Sequence, residues 1–191
     1  KKLYGLNSSG PAPINISIEE ITSKGLDAIP PYGPLPVTVP GAVAGWVELH
    51  KRFGIMDFNL LFQNAIEYAE KGFPVTEVVA YYLKLSSENF INYPNFKKTW
   101  MPDGKIPSKG EIFKNPNLAS TYKKIASSYG EDFYKGTIAN EIVNFINNQG
   151  GYFSLEDLSD FKPEWIDPVS TNYRGYDIWE LPPNGQGIAA L

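Results

Sequence analysis

The sequence predicts an α+β fold in which a predominantly helical segment lies between strands near the two ends of the chain. Apolar residues recur at the spacing of amphipathic helices from residue 41 to residue 162. Prolines are frequent before this block, and short runs of β-branched and aromatic residues follow it. We therefore divide the chain into a strand and extended meander at 1–40, a helical block at 41–162 and strands returning to a core sheet at 163–191. We expect about half or more of the residues to be helical.

The segment 1–40 is expected to be mostly irregular. Lys1–Leu6 has the composition of a short strand, and the proline-rich stretch that follows allows only one helical turn, after Ser17. The chain does not begin with Met, and the apolar run Gly187–Leu191 stops just as an element begins. We therefore expect this chain to be an interior piece of a longer protein.

Capping residues and glycines indicate where the helices begin and end. Polar side chains at helix starts accept hydrogen bonds from free backbone N–H groups, and glycine adopts the backbone conformation that ends a helix. The residues expected to begin helices are Gly41, Asp57, Thr76, Asn115, Thr137 and Ser154. The glycines expected to end them are Gly54, Gly72, Gly130 and Gly150. We expect irregular turns between Tyr93 and Lys114, with Trp100 as their main apolar anchor.

The apolar stripes of these helices predict part of the core. The residues expected to be buried are Trp46, Ala65, Ile125, Ile142 and Phe145. Beyond the helical block, the runs Val169–Tyr173 and Tyr176–Leu181 are separated by Arg174–Gly175, a pattern typical of a β-hairpin.

Composition excludes several classes of function. The chain has 17 basic and 21 acidic residues and a net charge of −4, and no cluster of Lys or Arg is long enough to bind a nucleic acid backbone. Its apolar runs, such as Val78–Leu83, fall far short of the roughly 20 residues of a membrane span. Cysteine is absent, which excludes disulfides and Cys-bound zinc.

The residues alone show no catalytic machinery. His50 is the single histidine, so the chain offers no cluster of imidazole ligands to a metal, and the absence of G-x-S-x-G disfavours a serine triad. Adjacent carboxylates such as Glu156 and Asp157 stand at helix starts, where capping explains them better than acid–base chemistry. We therefore predict no catalytic residue, no metal ligand and no cofactor in this chain.

Six short blocks, in order along the chain, resemble those of γ-glutamyltranspeptidases. The first, V-P-G-A-V-A-G-W at Val39–Trp46, is similar to the family's V-P-G-x-V-A-G. The others are Ile66–Val75, Asp132–Ala139, Gly150–Leu158, Tyr173–Tyr176 and Leu181–Gly187. On these blocks the chain is identified as an internal large-subunit segment of that family. It is closer to the branch related to cephalosporin acylases and transpeptidase-like proteins.

The resemblance implies an N-terminal nucleophile hydrolase with an αββα sandwich, which the terminal strands of this chain would join. Such proteins are made as precursors that cleave themselves into a large and a small subunit. The new N-terminal Thr of the small subunit attacks a small-molecule amide, as in glutathione metabolism, and water or an amine then takes the acyl group. By this resemblance the Thr lies downstream of Leu191, and the small subunit is the partner of this chain.

One block departs from the transpeptidase pattern. Typical members carry D-x-R-E-x-A-P, whose Arg binds the substrate carboxylate through two hydrogen bonds. Aligning Ala12–Pro13 with that A-P places Ser9 at the Arg position and Gly10 at the Glu position. The resemblance implies that Asn7, Ser8, Ser9 and Gly10 contact the substrate, and Ser9 predicts a substrate other than a γ-glutamyl amide.

A second hypothesis belongs to a different class of function. The chain could be a non-catalytic helical binding module that shares the family scaffold. A Thr followed by a short β-rich run downstream of Leu191 would favour the enzyme. The residues leave localisation open.

Overall fold

The computed structural model describes residues 2–191, and about 47% of the chain is helical. The helices are α1 (Ile18–Ser23), α2 (Ala42–Phe53), α3 (Phe58–Leu61), α4 (Gln63–Lys71), α5 (Glu77–Phe90), α6 (Phe96–Trp100), α7 (Pro116–Ser127), α8 (Glu131–Lys135), α9 (Thr137–Asn147), α10 (Leu155–Ser159) and α11 (Gly187–Ala190). The strands are β1 (Gly5–Asn7), β2 (Phe73–Pro74), β3 (Ile112–Phe113), β4 (Glu164–Ile166), β5 (Val169–Tyr173) and β6 (Tyr176–Glu180). The predicted α+β class is confirmed. Part of the predicted first strand, Lys1, lies outside the described residues.

The chain divides into two compact units. One unit comprises Lys1–Asp57 and Ser127–Leu191, and the other comprises Phe58–Ala126. The first unit thus joins the two ends of the chain, while the second is a continuous stretch of mostly short helices.

In the first unit, β1 and β4 form an antiparallel pair in which Gly5 lies opposite Ile166 and Asn7 lies opposite Glu164. The C-terminal end of α2 packs beside this pair through its arginine. The Arg52 guanidinium lies 4.2 Å from the ring centres of both Tyr4 and Trp165. Cation–π contacts of this kind stabilise a partly exposed cluster by about 0.5–1 kcal/mol each.

The predicted hairpin is confirmed. Strands β5 and β6 pair antiparallel with Tyr173 opposite Tyr176, so Arg174 and Gly175 form the turn. Both turn residues have positive φ angles, 52° and 86°, as a type I′ turn requires. A type I′ turn matches the right-handed twist of the two paired strands.

In the second unit, Thr76 and Asn115 cap helices as predicted. The Thr76 hydroxyl accepts a hydrogen bond from the Val79 N–H at 3.4 Å, and the Asn115 side chain accepts one from the Leu118 N–H at 3.0 Å. Trp100 stacks on Phe113 with ring centres 5.5 Å apart, which agrees with its expected role as an anchor.

Several elements were not predicted. The expected irregular loop contains α6 and β3, and β3 pairs with β2. Strand β4 was also missed. The helix expected after Asp57 is divided into α3 and α4 at Phe62. These strands are two or three residues long and depend on pairing with distant segments, so they carry no local pattern.

The prediction of the five buried residues was mostly wrong. Ile125 is buried with 2% of its surface exposed, but Trp46 and Phe145 are each 42% exposed, and Ala65 and Ile142 are half-buried. On α2 the buried face runs through Val43 and Val47, which lie against Gly130. Trp46 lies about 100° around the helix from Val47, beyond this contact.

On α9, burial is confined to Ile138 and Ala139 in the first turn. Phe145 lies near the other end of the same helix, away from this buried turn. The apolar stripe is therefore longer than the surface that covers it within the chain.

Candidate functional site

The loop that follows β1 is held by the side chain of Asn7. The Asn7 carbonyl oxygen Oδ1 accepts a hydrogen bond from the Ser9 backbone N–H at 3.0 Å, which closes a tight local turn. The Asn7 amide Nδ2 donates to Oδ1 of Asn184 at 3.2 Å. Asn184 belongs to the block Leu181–Gly187, so this bond joins two segments that are 177 residues apart in the sequence.

The same loop packs directly on the start of α2. The Ser8 hydroxyl donates a hydrogen bond to the Gly41 carbonyl oxygen at 2.6 Å. A Cβ atom on Gly41 would lie 1.9 Å from the Ser8 carbonyl oxygen, and a Cβ on Gly10 would lie 1.9 Å from the Val39 carbonyl oxygen. No side chain fits in either place. Glycine is therefore required in both segments because their backbones touch.

Tyr134 holds the start of α2 from a distant part of the sequence. Its hydroxyl donates to the Pro40 carbonyl oxygen at 2.8 Å and accepts from the Ala44 N–H at 3.0 Å. Ala44 lies in the first turn of α2, where backbone N–H groups lack partners within the helix. Burial raises the pKa of Tyr134 to about 12, so the hydroxyl remains protonated at neutral pH. This contact joins the block Asp132–Ala139 to the block Val39–Trp46.

Two aspartates act as backbone anchors. Asp157 is buried, and its carboxylate accepts hydrogen bonds from the Ile14 N–H at 2.7 Å and the Ser154 N–H at 2.7 Å. Its own N–H donates to the Ser154 hydroxyl, which completes the predicted capping box. Asp132 accepts from the Thr137 N–H at 3.0 Å and thereby caps α9. Both carboxylates thus orient chain segments.

The site residues predicted from sequence meet at one cavity, with one exception. A cavity of about 410 Å³ lies beside the loop after β1. Its lining residues are Asn7, Ser9, Gly10, Pro11, Asp160, Phe161, Lys162, Glu164 and Asn184. Ser8 does not line the cavity, because its hydroxyl is directed to Gly41.

Sequence reasoning missed Asn184 and the segment 160–164 as part of this cavity. Asn184 belongs to a block that signalled the family, so that block could have indicated it. Segment 160–164 gave no such signal, because the pairing of β1 with β4 brings it to the loop.

His50 is held by two hydrogen bonds. Its Nε2 lies 2.7 Å from the Met56 carbonyl oxygen and must donate to it, so in the neutral ring Nδ1 accepts from the Tyr129 hydroxyl at 2.6 Å. Among residues 2–191, no group of three or more His, Cys, Asp or Glu side chains is placed to bind a metal ion. None of the helices over this range combines the length and apolar character of a membrane span.

Similarity to solved structures shows that the segment has the fold of N-terminal nucleophile hydrolases. A crystal structure of cephalosporin acylase from Bacillus halodurans is similar to 99% of this chain, with a TM-score of 0.95 and 43% sequence identity, and the match covers 37% of the acylase chain. Helicobacter pylori γ-glutamyltranspeptidase is similar over 96% of this chain, with a TM-score of 0.90 and 29% identity, and the match covers 54% of that chain.

The sequence profile of the γ-glutamyltranspeptidase family matches residues 1–191, so the chain belongs to that family. The glutathione hydrolase-like YwrD proenzyme of Bacillus subtilis is 34% identical over 191 residues, which is 100% of this chain and 36% of that protein. The glutathione hydrolase proenzyme of Escherichia coli is 36% identical over 149 residues, which is 78% of this chain and 26% of that protein. The chain thus spans about a third or less of these relatives.

Proposed function

We propose that this chain is the acyl-binding part of the large subunit of an amide hydrolase or acyltransferase. The observation that carries the proposal is the family match over residues 1–191. The cavity supports it, because residues from two of the family-like regions line the cavity together: Asn7, Ser9 and Gly10 from one, and Asn184 from the other.

The chemistry belongs to a Thr downstream of Leu191. In an N-terminal nucleophile hydrolase, the Thr hydroxyl attacks the amide carbonyl carbon while the α-amine of the same residue takes the proton. The amine leaving group departs with a proton, and the acyl group remains on the Thr oxygen as an ester. Water or a second amine then attacks this ester and releases the acyl group. The matched relatives include proteins named as proenzymes, which is consistent with a precursor that is cut to expose the Thr.

This chain would hold the acyl group during both steps. Ser9 and the backbone of Gly10 lie at the cavity surface and offer neutral hydrogen bonds. Asn7 already bonds Ser9 and Asn184, so its role is to fix the shape of this surface. Ser8 fixes the loop to α2 through Gly41. Positioning of this kind accelerates acyl transfer because the reacting groups are held near their reactive geometry.

Ser9 lowers the expected activity toward γ-glutamyl amides. A buried guanidinium bound to a carboxylate through two hydrogen bonds contributes about 2–5 kcal/mol. A serine hydroxyl cannot replace that geometry. We therefore expect poor γ-glutamyl transfer and better hydrolysis of another amide, such as one with a glutaryl-like acyl group.

The test uses the full-length protein. Mass spectrometry of the purified product should show two fragments, the second beginning with Thr, and a Thr→Ala variant at that position should remain uncut. Steady-state kinetics with a γ-glutamyl anilide should show weak activity that rises by about two powers of ten in Ser9→Arg. An uncut, inactive wild type would refute the proposed function. Ordinary transpeptidase activity without a gain from Ser9→Arg would refute the proposed specificity.

A binding module is the second candidate. Helix α5 buries none of its residues, and its Tyr81 and Tyr82 are 63% and 59% exposed. Exposed aromatic surfaces of this kind often mark interaction sites. A full-length sequence without a Thr and β-rich run downstream of Leu191 would favour this candidate.

A further inference from the structure

The cavity beside the β1 loop contains a lysine that sequence analysis did not single out. Lys162 lies in the segment between α10 and β4, and Ser9 lies in the loop after β1, and both line the cavity. The paired strands β1 and β4 bring these two segments together. Leu6 lies opposite Trp165, and Asn7 lies opposite Glu164. Ser9 lies two residues after the end of β1, and Lys162 lies two residues before the start of β4.

Lys162 is the only cation among the lining residues, all of which the structure describes. The side chain is exposed. No ion pair or hydrogen bond within residues 2–191 engages its ammonium group. The ammonium is therefore available to a ligand, and its flexible stem allows it to reach into the cavity.

Asp160 and Glu164 line the same cavity and give the lining a net charge of −1 when counted with Lys162. Two carboxylates oppose a ligand that carries several negative charges, because like charges repel at short range. A ligand with one carboxylate can bind the ammonium while the rest of it contacts neutral groups. The neutral hydrogen-bonding groups are the Ser9 hydroxyl and the Asn184 amide.

We propose that Lys162 recognises a single carboxylate on the acyl group of the substrate, in the cavity that Ser9 also lines. This inference rests on the proposed function and names the substrate class for the same site. An ammonium is a point charge and does not fix the plane of a carboxylate as an arginine does. The site therefore selects for the presence of the carboxylate more than for its orientation.

The experiment compares two substrates on the mature full-length protein. One is a glutaryl anilide, which carries one carboxylate, and the other is a valeryl anilide, which is neutral and of similar length. Lys162→Met should raise KM for the glutaryl anilide by roughly tenfold, because a charge-assisted hydrogen bond is lost, and should leave kcat almost unchanged. KM for the valeryl anilide should not rise. Lys98→Met, at an exposed position of α6, is the control and should leave KM unchanged for both substrates.

A second variant tests whether a cation from the loop after β1 can replace Lys162. In Ser9→Arg/Lys162→Met, the new guanidinium enters the same cavity from the loop after β1 and should restore most of the preference for the glutaryl anilide. If Lys162→Met raised KM equally for both anilides, Lys162 would have a structural role and the inference would be overturned. An unchanged KM for both anilides would also overturn it. Lys162 also borders a neighbouring cavity with Glu48 and Glu131, where a structural role could arise.

Binding of glutaramate, the monoamide of glutaric acid that carries one carboxylate, is measured by calorimetry and separates this inference from the proposed function. Weaker binding in Lys162→Met than in wild type would support the lysine site even if no anilide were turned over. If the wild type hydrolyses amides but Lys162→Met changes neither the binding nor KM, the inference is overturned and the proposed function stands. A wild type that neither binds glutaramate nor turns over an anilide contradicts both.

Discussion

The starts of α2 and α5 are held in different ways. Thr76 caps α5 from the adjacent position, and α5 buries none of its residues. Gly41 precedes α2 without a side-chain cap, and the Tyr134 hydroxyl, 90 residues away, serves the Ala44 N–H instead. The start of α2 is thus stabilised by tertiary contacts, and the start of α5 by a local one. Changes near α2 should consequently reach the cavity loop, whereas changes at α5 should remain local.

The largest effect is expected from Gly10→Ala. The added Cβ would lie 1.9 Å from the Val39 carbonyl oxygen, so the loop or the segment before α2 must move. We expect the free energy of unfolding to fall by about 3 kcal/mol or more. Chemical denaturation of the full-length protein measures it. Gly185→Ala is the matched control, because nothing lies within 4 Å of its Cβ position. Equal stability of the two variants would contradict the backbone contact.

A smaller effect is expected from Tyr134→Phe. The substitution leaves the ring in place but removes the partner of the Ala44 N–H and the Pro40 carbonyl, so stability should fall by about 1–3 kcal/mol. Tyr68→Phe, at a position 60% exposed, should be neutral within about 0.5 kcal/mol. A neutral Tyr134→Phe would mean that α2 does not depend on this hydroxyl.

The raised pKa of Tyr134 adds a dependence on pH. The folded protein holds this pKa at about 12, above the ordinary value of 10.0, because burial disfavours the phenolate. The contribution to stability is therefore fully present below pH 10 and is lost as the pH rises through about 12. Denaturation between these pH values should show a steeper loss in wild type than in Tyr134→Phe. If the stability of both proteins fell equally with pH, groups other than Tyr134 would be responsible for the loss.

The smallest effect is expected from Thr76→Ala. The loss of a threonine cap costs about 1 kcal/mol, and the 3.4 Å distance to the Val79 N–H indicates a weak bond here. Thr76→Ser, which retains the hydroxyl, should keep most of the stability. The kinetic constants of the full-length protein should be unchanged in both. A change in KM in Thr76→Ala would show that the start of α5 is coupled to the substrate site.

Contacts between residues close in the sequence could be predicted from it. Thr76, Asn115 and Ser154 were identified as caps because the cap and its N–H partner lie three residues apart. The turn at Arg174–Gly175 was likewise a local signal.

Tertiary contacts could not be predicted in that way. The hydrogen bond between Tyr134 and Ala44 joins residues that are distant in the sequence. The position of Lys162 in the cavity likewise depends on contacts between distant segments. The burial of Trp46 and Phe145 was misjudged because an apolar stripe does not show how much of itself a neighbour covers. The assignment of Asn7 to Gly10 to a substrate site came from family resemblance, since these residues alone carry no chemical signature, and it stays a prediction.

The central claim is that this chain holds the acyl group and that the nucleophile lies outside it. Turnover of the glutaryl anilide by the mature full-length protein and by residues 1–191 alone tests it most directly, with circular dichroism to check that the shorter chain retains about 47% helix. The account predicts turnover by the full-length protein and none by the shorter chain. Turnover by residues 1–191 that persists through rigorous purification would contradict it.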